Sequence, residues 1–251
     1  MPRFFVTASQ IGKRDDGSKT VLITGDDASH IVRSLRMKEG DGIVVCDMAS
    51  TEYECRILSA GENVTAEVIS EKTSSAEPPY RATLYQALVK GDKFDTVVQK
   101  AVECGVARIV PVLTERCIVR LDARDCAKKA ARWQRIADEA AKQCGRGVLP
   151  SVEGLMTFKE AVSDAAGADC SLFCYEGEKE KSLRSVLEGF SEVPRTVAFM
   201  IGSEGGFSLK EAEYAASFGL VSVGLGSRIL RTETASSFVL ACISYGFEMD
   251  K

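Results

Sequence analysis

The sequence is poor in the residues and motifs on which several common kinds of active site depend. It contains one histidine, His30, and no GxSxG motif, which argues against a hydrolase built on a serine nucleophile and a histidine base. It also lacks the GxGxxG pattern of nicotinamide dehydrogenases and the GxxxxGK[ST] pattern of P-loop ATPases. These three classes of enzyme therefore lose their main support.

The nine cysteines do not indicate metal or disulfide chemistry. The closest pair, Cys170 and Cys174, has CxxxC spacing in an apolar run, and His30 lies far from it in the sequence. Zinc sites need ligands that converge on one ion, and disulfide frameworks are typical of secreted chains. We therefore expect reduced, mostly buried thiols and no metal.

Long apolar runs are also missing. No stretch approaches the roughly 18 apolar residues of a membrane span, and the first ten residues lack the apolar core of a signal peptide. With 45% hydrophobic and 27% charged residues, the composition is that of an ordinary globular protein. We expect a cytoplasmic protein that does not bind membranes.

Charge is distributed unevenly along the chain, although the formal net charge is −4. Residues 1–76 carry 9 basic and 12 acidic side chains, and residues 151–251 carry 9 basic and 15 acidic ones. Residues 77–150, by contrast, carry 14 basic and 9 acidic side chains. This basic third is compatible with a polyanion-binding face, and equally with solvated helices.

A polar segment at residues 71–79, which ends in two prolines, divides the chain into two predicted domains. Short alternating apolar runs before it predict a small β-barrel domain over residues 1–72. These runs lie at 20–23, 42–47, 52–58 and 64–69, with one helix-like stretch at 28–37.

The pattern after the linker predicts an α/β domain over residues 77–251. A strand at 82–88, a helix at 93–104 and a strand at 107–113 form a β-α-β unit, which implies a parallel sheet. The remaining predicted elements are a basic helix at 123–144, strands at 170–175, 196–201 and 220–225, and a last helix at 232–249.

Two glycine-bearing loops follow two of these strands, at residues 201–208 (IGSEGGFS) and 224–235 (GLGSRILRTETA). In open α/β sheets, ligands bind beyond the carboxyl ends of the strands, and glycines there allow a close backbone approach. Either loop taken alone is equally typical of an ordinary turn between a strand and a helix.

Taken together, the motifs resemble the RsmE family of SPOUT-class methyltransferases, which methylate N3 of a uridine in 16S ribosomal RNA. The resemblance rests on both glycine loops and on three further segments: HIVRSLRMKEGD, ALVKGDKFDTVVQKAVECGV and RWQRIADEAAKQCGR. Two features depart from the family pattern. Ser203 stands where proline is usual, and CDMASTEY lacks the usual DG.

The resemblance implies a C-terminal SPOUT domain in which the last helix is threaded through a loop to form a trefoil knot. It also implies a small N-terminal β-barrel of PUA or OB type. The expected cofactor is S-adenosylmethionine, held by backbone groups of the two loops. The residues that the resemblance assigns to the cofactor are Gly202, Glu204, Gly205, Leu225, Gly226, Ile229 and Leu230.

Arg231 and Glu233 are the candidate catalytic residues. N3 of uracil carries a proton, so its methylation needs a base or a group that stabilises the uridine anion. Arg231 would stabilise negative charge on a uracil oxygen, and Glu233 would either accept the proton or fix Arg231. The alternative is an ion pair at a helix N-terminus, where the helix dipole favours Glu233.

Two groups of basic residues are candidates for binding RNA. In the first, the spacing places His30, Arg33 and Lys38 on one face of a helix. The second belongs to the basic helix, for which a solvated outer face is the alternative. The candidates are His30, Arg33, Arg36 and Lys38 in the first group and Arg132 and Arg135 in the second.

The expected partners are 16S ribosomal RNA or the small ribosomal subunit, and a second copy of the chain. A homodimer is expected because residues 238–243 are apolar on every face of the last helix and need burial all round. Two other functions stay open, namely ribose 2′-O methylation and RNA binding with a degenerate cofactor pocket. The presence of Gly202, Gly205, Gly226 and Arg231 argues against the second.

Overall fold

The computed structural model describes residues 1–14, 16–119 and 123–249, which fold into two compact units. The first unit contains Met1–Glu77 and Ala141–Leu149, and the second contains Pro78–Ala140 and Pro150–Lys251. Within the described residues, no helix combines the length and the apolar character that a membrane span requires.

The segment Ala141–Leu149 packs in the first unit, whereas the sequence boundaries place it in the second domain. A buried ion pair explains this placement. Arg146 is 4% exposed, and its Nη2 and Nε atoms lie 2.7 and 2.9 Å from the Glu77 carboxylate. The backbone N–H groups of Gly147 and Val148 donate to the same carboxylate.

The first unit is built on a six-stranded sheet with the strand order β1-β4-β5-β6-β3-β2. All its pairs are antiparallel except β1 with β4. The four predicted strands are confirmed, and two three-residue strands were not predicted. The strands are Arg3–Phe5 (β1), Ile11–Lys13 (β2), Lys19–Ile23 (β3), Gly42–Cys46 (β4), Thr51–Ala60 (β5) and Val64–Thr73 (β6).

Alternating side chains of this sheet form the core of the first unit, as expected for strands with one buried face. Two helical side chains, Ala28 and Ile31, pack into the same core. The strand residues in it include Val21, Ile23, Ile43, Val45, Tyr53, Cys55, Ile57, Val64 and Ala66.

The helix between β3 and β4 differs from the predicted helix at 28–37. An α-helix at Gly25–Ser29 (α1) continues into a wider π-type turn at His30–Ser34. The turn closes with the N–H of Met37 donating to the carbonyl of Ile31, while Arg36 adopts a left-handed conformation with φ +54°. The helical segment therefore begins three residues earlier than predicted and ends before Arg36.

The second unit contains a seven-stranded parallel sheet with the order β10-β8-β7-β12-β11-β13, and β9 pairs with β8. The predicted β-α-β unit is confirmed, because β7 and β8 pair in parallel. The strands are Arg81–Ala87 (β7), Val106–Leu113 (β8), Ser151–Val152 (β9), Met156–Thr157 (β10), Cys170–Cys174 (β11), Thr196–Ile201 (β12) and Val221–Val223 (β13).

Six helices accompany this sheet in the described part of the chain. Their apolar sides supply buried residues such as Phe94 and Val97 of α2 and Val239 and Ile243 of α7. The helices are Lys93–Glu103 (α2), Ala123–Cys144 (α3), Phe158–Ala165 (α4), Leu183–Leu187 (α5), Leu209–Ser217 (α6) and Thr232–Phe247 (α7).

The strand order determines which loops meet. Strand β11 lies between β12 and β13 and is parallel to both. The carboxyl ends of the three strands therefore lie at one edge of the sheet, and the loops that follow them are neighbours.

Candidate functional site

The loops after β11, β12 and β13 surround a cleft of about 240 Å³. The two glycine loops singled out in the sequence form two of its sides, and the loop after β11 forms the third. All seven residues assigned to the cofactor line this cleft: Gly202, Glu204, Gly205, Leu225, Gly226, Ile229 and Leu230.

The loop after β12 needs glycine because its backbone folds tightly on itself. A Cβ atom at Gly202 would lie 3.0 Å from the backbone of Gly206. Gly206 has φ +65°, and a Cβ atom there would collide with the carboxylate of Glu176. This loop therefore presents backbone groups to the cleft in a conformation that larger residues cannot adopt without displacement.

Ser203, which stands where the resembled family has proline, has its side chain inside this loop. The residue is 6% exposed, and its Oγ atom has no hydrogen-bond partner among the described residues. Its carbonyl accepts a hydrogen bond from the N–H of Gly206 at 2.9 Å. The backbone turn therefore forms with serine in the place of proline.

Glu204 contributes to the cleft, but its carboxylate is held by other residues of the protein. Lys93 Nζ lies 2.9 Å from Glu204 Oε1, and the N–H of Lys90 donates to the same oxygen at 3.2 Å. Burial acts to raise the pKa of Glu204, but the hydrogen bond from Lys93 and the other local interactions hold that pKa below its usual value. The negative charge of Glu204 is therefore already paired within the protein.

The loop after β13 provides the apolar side of the cleft. Gly226 has φ +102°, which favours glycine, and it separates Leu225 from a run that ends in Ile229 and Leu230. The side chain of Ile229 is 83% exposed, an unusual position for an isoleucine beside a cleft. A ligand with an apolar face would cover this surface.

The sequence did not lead us to assign any residue of the loop after β11 to the site. It brings Tyr175, Glu176, Glu178 and Lys179 to the cleft. Arg116 connects this loop to the first glycine loop, because its Nη1 donates to the carbonyl of Gly205 at 2.8 Å and lies 3.7 Å from Glu176 Oε1. The available signal was the charged, glycine-containing segment directly after the predicted strand at 170–175.

Arg231 and Glu233 lie at the N-terminus of α7, where Arg231 is the N-cap residue. Their neighbours Leu230 and Thr232 line the cleft. Arg231 is exposed, and Glu233 Oε2 is buried without a hydrogen-bond partner among the described residues. In this part of the chain no ion pair joins Arg231 to Glu233, so the ion-pair alternative gains no support.

The predicted RNA-binding residues of the first unit are all exposed: His30, Arg33, Arg36 and Lys38. The expectation that Lys38 shares a helical face with His30 and Arg33 is wrong, because the helical segment ends at Ser34. Lys38 instead follows the left-handed turn, and its N–H donates to Asp41 Oδ2 at 2.7 Å.

The two basic residues predicted on α3 differ from each other. Arg132 is bound to Asp95 through Nε, at 3.1 Å, and through Nη2, and it lies 3.6 Å from Asp92. The hydrogen bond that Arg132 donates to Asp95 raises the pKa of Arg132. Arg135 is exposed on the same helix.

Within the described residues, no group of three or more His, Cys, Asp or Glu side chains is arranged to hold a metal ion.

Comparison with known proteins gives two family matches. A family model described as an RNA methyltransferase domain matches residues 76–244, and one described as an RNA methyltransferase PUA domain matches residues 23–69. Ribosomal RNA small subunit methyltransferase E of Bacillus subtilis is 33% identical over 256 residues, which cover 99% of this chain and 98% of that protein.

Two solved structures are similar over nearly their whole length and contain a ligand. A methyltransferase from Legionella pneumophila, in complex with the cofactor SAM, has 28% identity and a TM-score of 0.84. A ribosomal RNA small subunit methyltransferase E from Neisseria gonorrhoeae, bound to S-adenosyl methionine, has 32% identity and a TM-score of 0.82. Each match covers 98% of this chain and 97% of the other.

Proposed function

The chain belongs to the ribosomal RNA small subunit methyltransferase E family, and we propose that it transfers a methyl group from S-adenosylmethionine to N3 of a uridine in 16S ribosomal RNA. One observation carries this proposal. The seven residues that the family resemblance assigns to the cofactor converge on a single cleft at the carboxyl ends of β12 and β13. Ligands of open parallel sheets bind at that position.

The residues that line the cleft fit the chemistry of S-adenosylmethionine. The cofactor has an adenine ring with flat apolar faces and a hydrogen-bonding edge, a ribose, and a methionine part that carries the sulfonium cation. The tightly folded backbone around Gly202 and Gly205 forms one side of the cleft. The exposed side chain of Ile229, together with Leu225 and Leu230, offers apolar surface on the other.

The sulfonium of the bound cofactor supplies an electrophilic methyl group. The new N3–CH3 bond forms as the S–CH3 bond breaks, and the proton originally on N3 must leave. We assign to Arg231 the stabilisation of the negative charge that develops on a uracil oxygen. We assign the proton to Glu233, whose Oε2 atom has no hydrogen-bond partner among the described residues.

The first unit places the RNA in this proposal, while the second binds the cofactor. The PUA family match over residues 23–69 contains the exposed cluster of His30, Arg33, Arg36 and Lys38. Cationic side chains of this kind bind phosphates and set the orientation of an RNA. On α3, Arg135 is the better candidate, because Arg132 is already bound to Asp95.

We further propose that the protein is a homodimer that uses α7. The buried side of α7 packs on its own unit, but a second side carries the exposed apolar residues Phe238, Ala241 and Tyr245 at helical spacing, and the exposed Met249 follows the end of the helix. Such a stripe is unusual on the surface of a soluble monomer. A second copy of the same helix supplies a matching apolar surface.

The same proposal includes a threaded knot in the second unit and a cytoplasmic location of the protein. The segment before α5 runs parallel to the residue that follows β13, since the N–H of Gly224 donates to the Lys181 carbonyl and the N–H of Leu183 donates to the Gly224 carbonyl. We propose the trefoil knot, through which the last helix passes, on the resemblance to the RsmE family. A ribosomal RNA substrate implies a cytoplasmic location.

The test is direct. Small ribosomal subunits and free 16S RNA from cells that lack the gene are incubated with the protein and isotopically labelled cofactor, and the digested nucleosides are identified by mass spectrometry. We expect labelled 3-methyluridine, and none with Arg231→Ala at matched times. Labelled 2′-O-methylnucleosides would favour ribose methylation. Binding of cofactor and RNA without transfer would favour a non-catalytic binding protein.

A further inference from the structure

Three buried polar atoms lack a hydrogen-bond partner among the described residues, and all belong to one small region beside the cleft. They are Gln86 Oε1, Ser203 Oγ and Glu233 Oε2. Ser203 and Glu233 directly follow Gly202 and Thr232, which are linked to Gln86 by hydrogen bonds. Unpaired buried polar groups are rare in proteins, so their concentration at one place indicates a role beyond packing.

The hydrogen bonds in this region form a continuous chain. Gln86 is fully buried near the end of β7, and its Nε2 donates to Thr232 Oγ1 at 2.8 Å and to the Ala87 carbonyl at 3.1 Å. Thr232 Oγ1 in turn donates to the carbonyl of Gly202 at 2.7 Å. The chain thus connects a central strand, the first residue of α7 and the first residue of the glycine loop.

The direction of these bonds is determined by their chemistry. The hydroxyl of Thr232 has one proton, which it gives to the Gly202 carbonyl, so it must accept from Gln86. A reversed amide would bring Gln86 Oε1 against the Ala87 carbonyl, and two acceptors cannot bond to each other. An apolar side chain of similar size would leave no unpaired oxygen here, but it would also break the connection.

We propose that Gln86 and Thr232 are positioning residues for methyl transfer. Their hydrogen bonds hold the start of α7, with Arg231 and Glu233, at a fixed distance from the glycine loop that binds the cofactor. Gln86 lies behind the cleft and acts entirely through Thr232 and Gly202. This inference rests on the proposed function, because it concerns the alignment of the same catalytic residues.

Alignment affects the rate of transfer more than it affects binding. A displacement of about 1 Å at the reacting groups costs up to roughly 100-fold in rate, whereas a cofactor held by many backbone groups loses little affinity. The proposal therefore predicts a large effect on the rate constant of transfer and a small effect on the dissociation constant of the cofactor.

The experiment compares Thr232→Val, Gln86→Leu and the double variant with the wild-type chain. Single-turnover methylation of small subunits gives the transfer rate, and calorimetry gives the cofactor affinity. We expect each single variant to lose roughly 10- to 100-fold in rate and less than about threefold in affinity. The double variant should be no slower than the slower single variant, because all three variants break the same series of hydrogen bonds.

Two matched variants separate positioning from a general loss of structure. Thr232→Ser keeps the hydroxyl and should retain the rate within about threefold. Ser236→Ala removes another fully buried hydroxyl of α7, one that donates to the Glu233 carbonyl of the same helix, and should also leave the rate nearly unchanged. Hydrogen exchange should accelerate at residues 202–206 and 231–236 in Thr232→Val and in Gln86→Leu, but not in Ser236→Ala.

The inference is overturned if Thr232→Val transfers methyl groups at the wild-type rate, if the cofactor affinity falls as much as the rate, or if the two single effects multiply. A wild-type chain that methylates no ribosomal RNA would instead refute the proposed function. The exchange comparison does not depend on activity. Unchanged exchange at both segments in the two variants would refute the positioning role independently.

Discussion

The two compact units present basic side chains in different ways. On α3 of the second unit, Arg132 is held by Asp95 in an ion pair. In the first unit, no ion pair among the described residues involves Arg33, Arg36 or Lys38, and all three are exposed. The sequence signal was the same in both places, a local excess of basic residues. A local excess of basic residues therefore indicates an attraction for polyanions, but which of the cations are available depends on the carboxylates that fold beside them.

The units also differ in how they hold their functional residues. Buried hydrogen bonds and positive-φ glycines fix the loops of the cleft, as at Gly206. The basic turn of the first unit is exposed, and a non-glycine residue, Arg36, adopts a left-handed conformation there. The first arrangement suits chemistry that needs exact alignment, and the second suits electrostatic binding.

The largest effect is expected at the cleft, from Arg231→Ala. Loss of one group that stabilises charge in the transition state typically lowers a rate by about 10²–10³-fold. Cofactor affinity should change little, because the proposed function assigns the cofactor to backbone groups of the two glycine loops. Single-turnover methylation and calorimetry measure the two quantities. The matched control is Arg228→Ala, since Arg228 is also exposed, lies in the same loop and lines the cleft. If affinity falls in parallel with the rate, Arg231 is a binding residue.

The second effect concerns the rigidity of the cleft. Gly206→Ala and Gly219→Ala both place a side chain at a positive φ, +65° and +86°, so they share the backbone strain. At Gly219 the new Cβ atom meets nothing within 4 Å, whereas at Gly206 it collides with Glu176. We expect both variants to lose about 1 kcal/mol of folding stability. Only Gly206→Ala should lose cofactor affinity, by about tenfold or more in calorimetry. Equal affinities would show that the loop tolerates displacement.

Much of this cleft was predictable from sequence. The apolar runs before both glycine loops predicted strands β12 and β13, although β13 is shorter than predicted, and the resemblance to the RsmE family assigned Gly202 and Gly226 to a ligand. The contribution of Glu176 and Lys179 had only a weak sequence signal, because the charged segment after the predicted strand at 170–175 resembles any charged surface turn. Only the strand order, with β11 between β12 and β13, brings it to the cleft.

The first unit shows a different limit. Alternating runs revealed its four longer strands, but β1 and β2 have three residues each, too few for alternation to be visible. The membership of Ala141–Leu149 depends on the pairing of Arg146 with Glu77, which are 69 residues apart. Local patterns contain no information about such a contact.

The third prediction concerns the basic residues Arg33 and Arg36 of the first unit and Arg132 of the second. Replacing Arg33 and Arg36 together by alanine should reduce the slope of log affinity against log salt by at most about 2 units, because each phosphate contact contributes roughly 0.7–0.9. Arg132→Ala should leave the slope nearly unchanged, since Asp95 already neutralises that guanidinium. Filter-binding titrations with 16S RNA at several salt concentrations measure both. A larger change for Arg132→Ala would reverse the assignment of the RNA-binding surface. Cofactor affinity should remain constant throughout.

The smallest effect is expected at Arg36, where RNA binding and folding stability should change in opposite directions. Arg36 occupies the left-handed position that follows a helical segment, where glycine is usually found. An L-residue there costs about 1–2 kcal/mol in the folded state, and the greater freedom of glycine in the unfolded chain offsets part of the gain. Arg36→Gly should therefore raise the free energy of unfolding by about 0.5–1 kcal/mol in urea denaturation, while it weakens RNA binding several-fold.

Two control variants test whether the gain in stability and the loss of RNA binding expected for Arg36→Gly have separate causes. Arg33→Gly removes a neighbouring cation from a helical position, so it should weaken RNA binding and also lower stability by about 1 kcal/mol. Arg36→Lys keeps both the charge and the backbone strain, so it should leave stability unchanged and retain most of the affinity. If Arg36→Gly destabilises the protein, the arginine side chain has a structural role. If it stabilises the protein without weakening RNA binding, Arg36 does not contact RNA, and the strained turn requires another explanation.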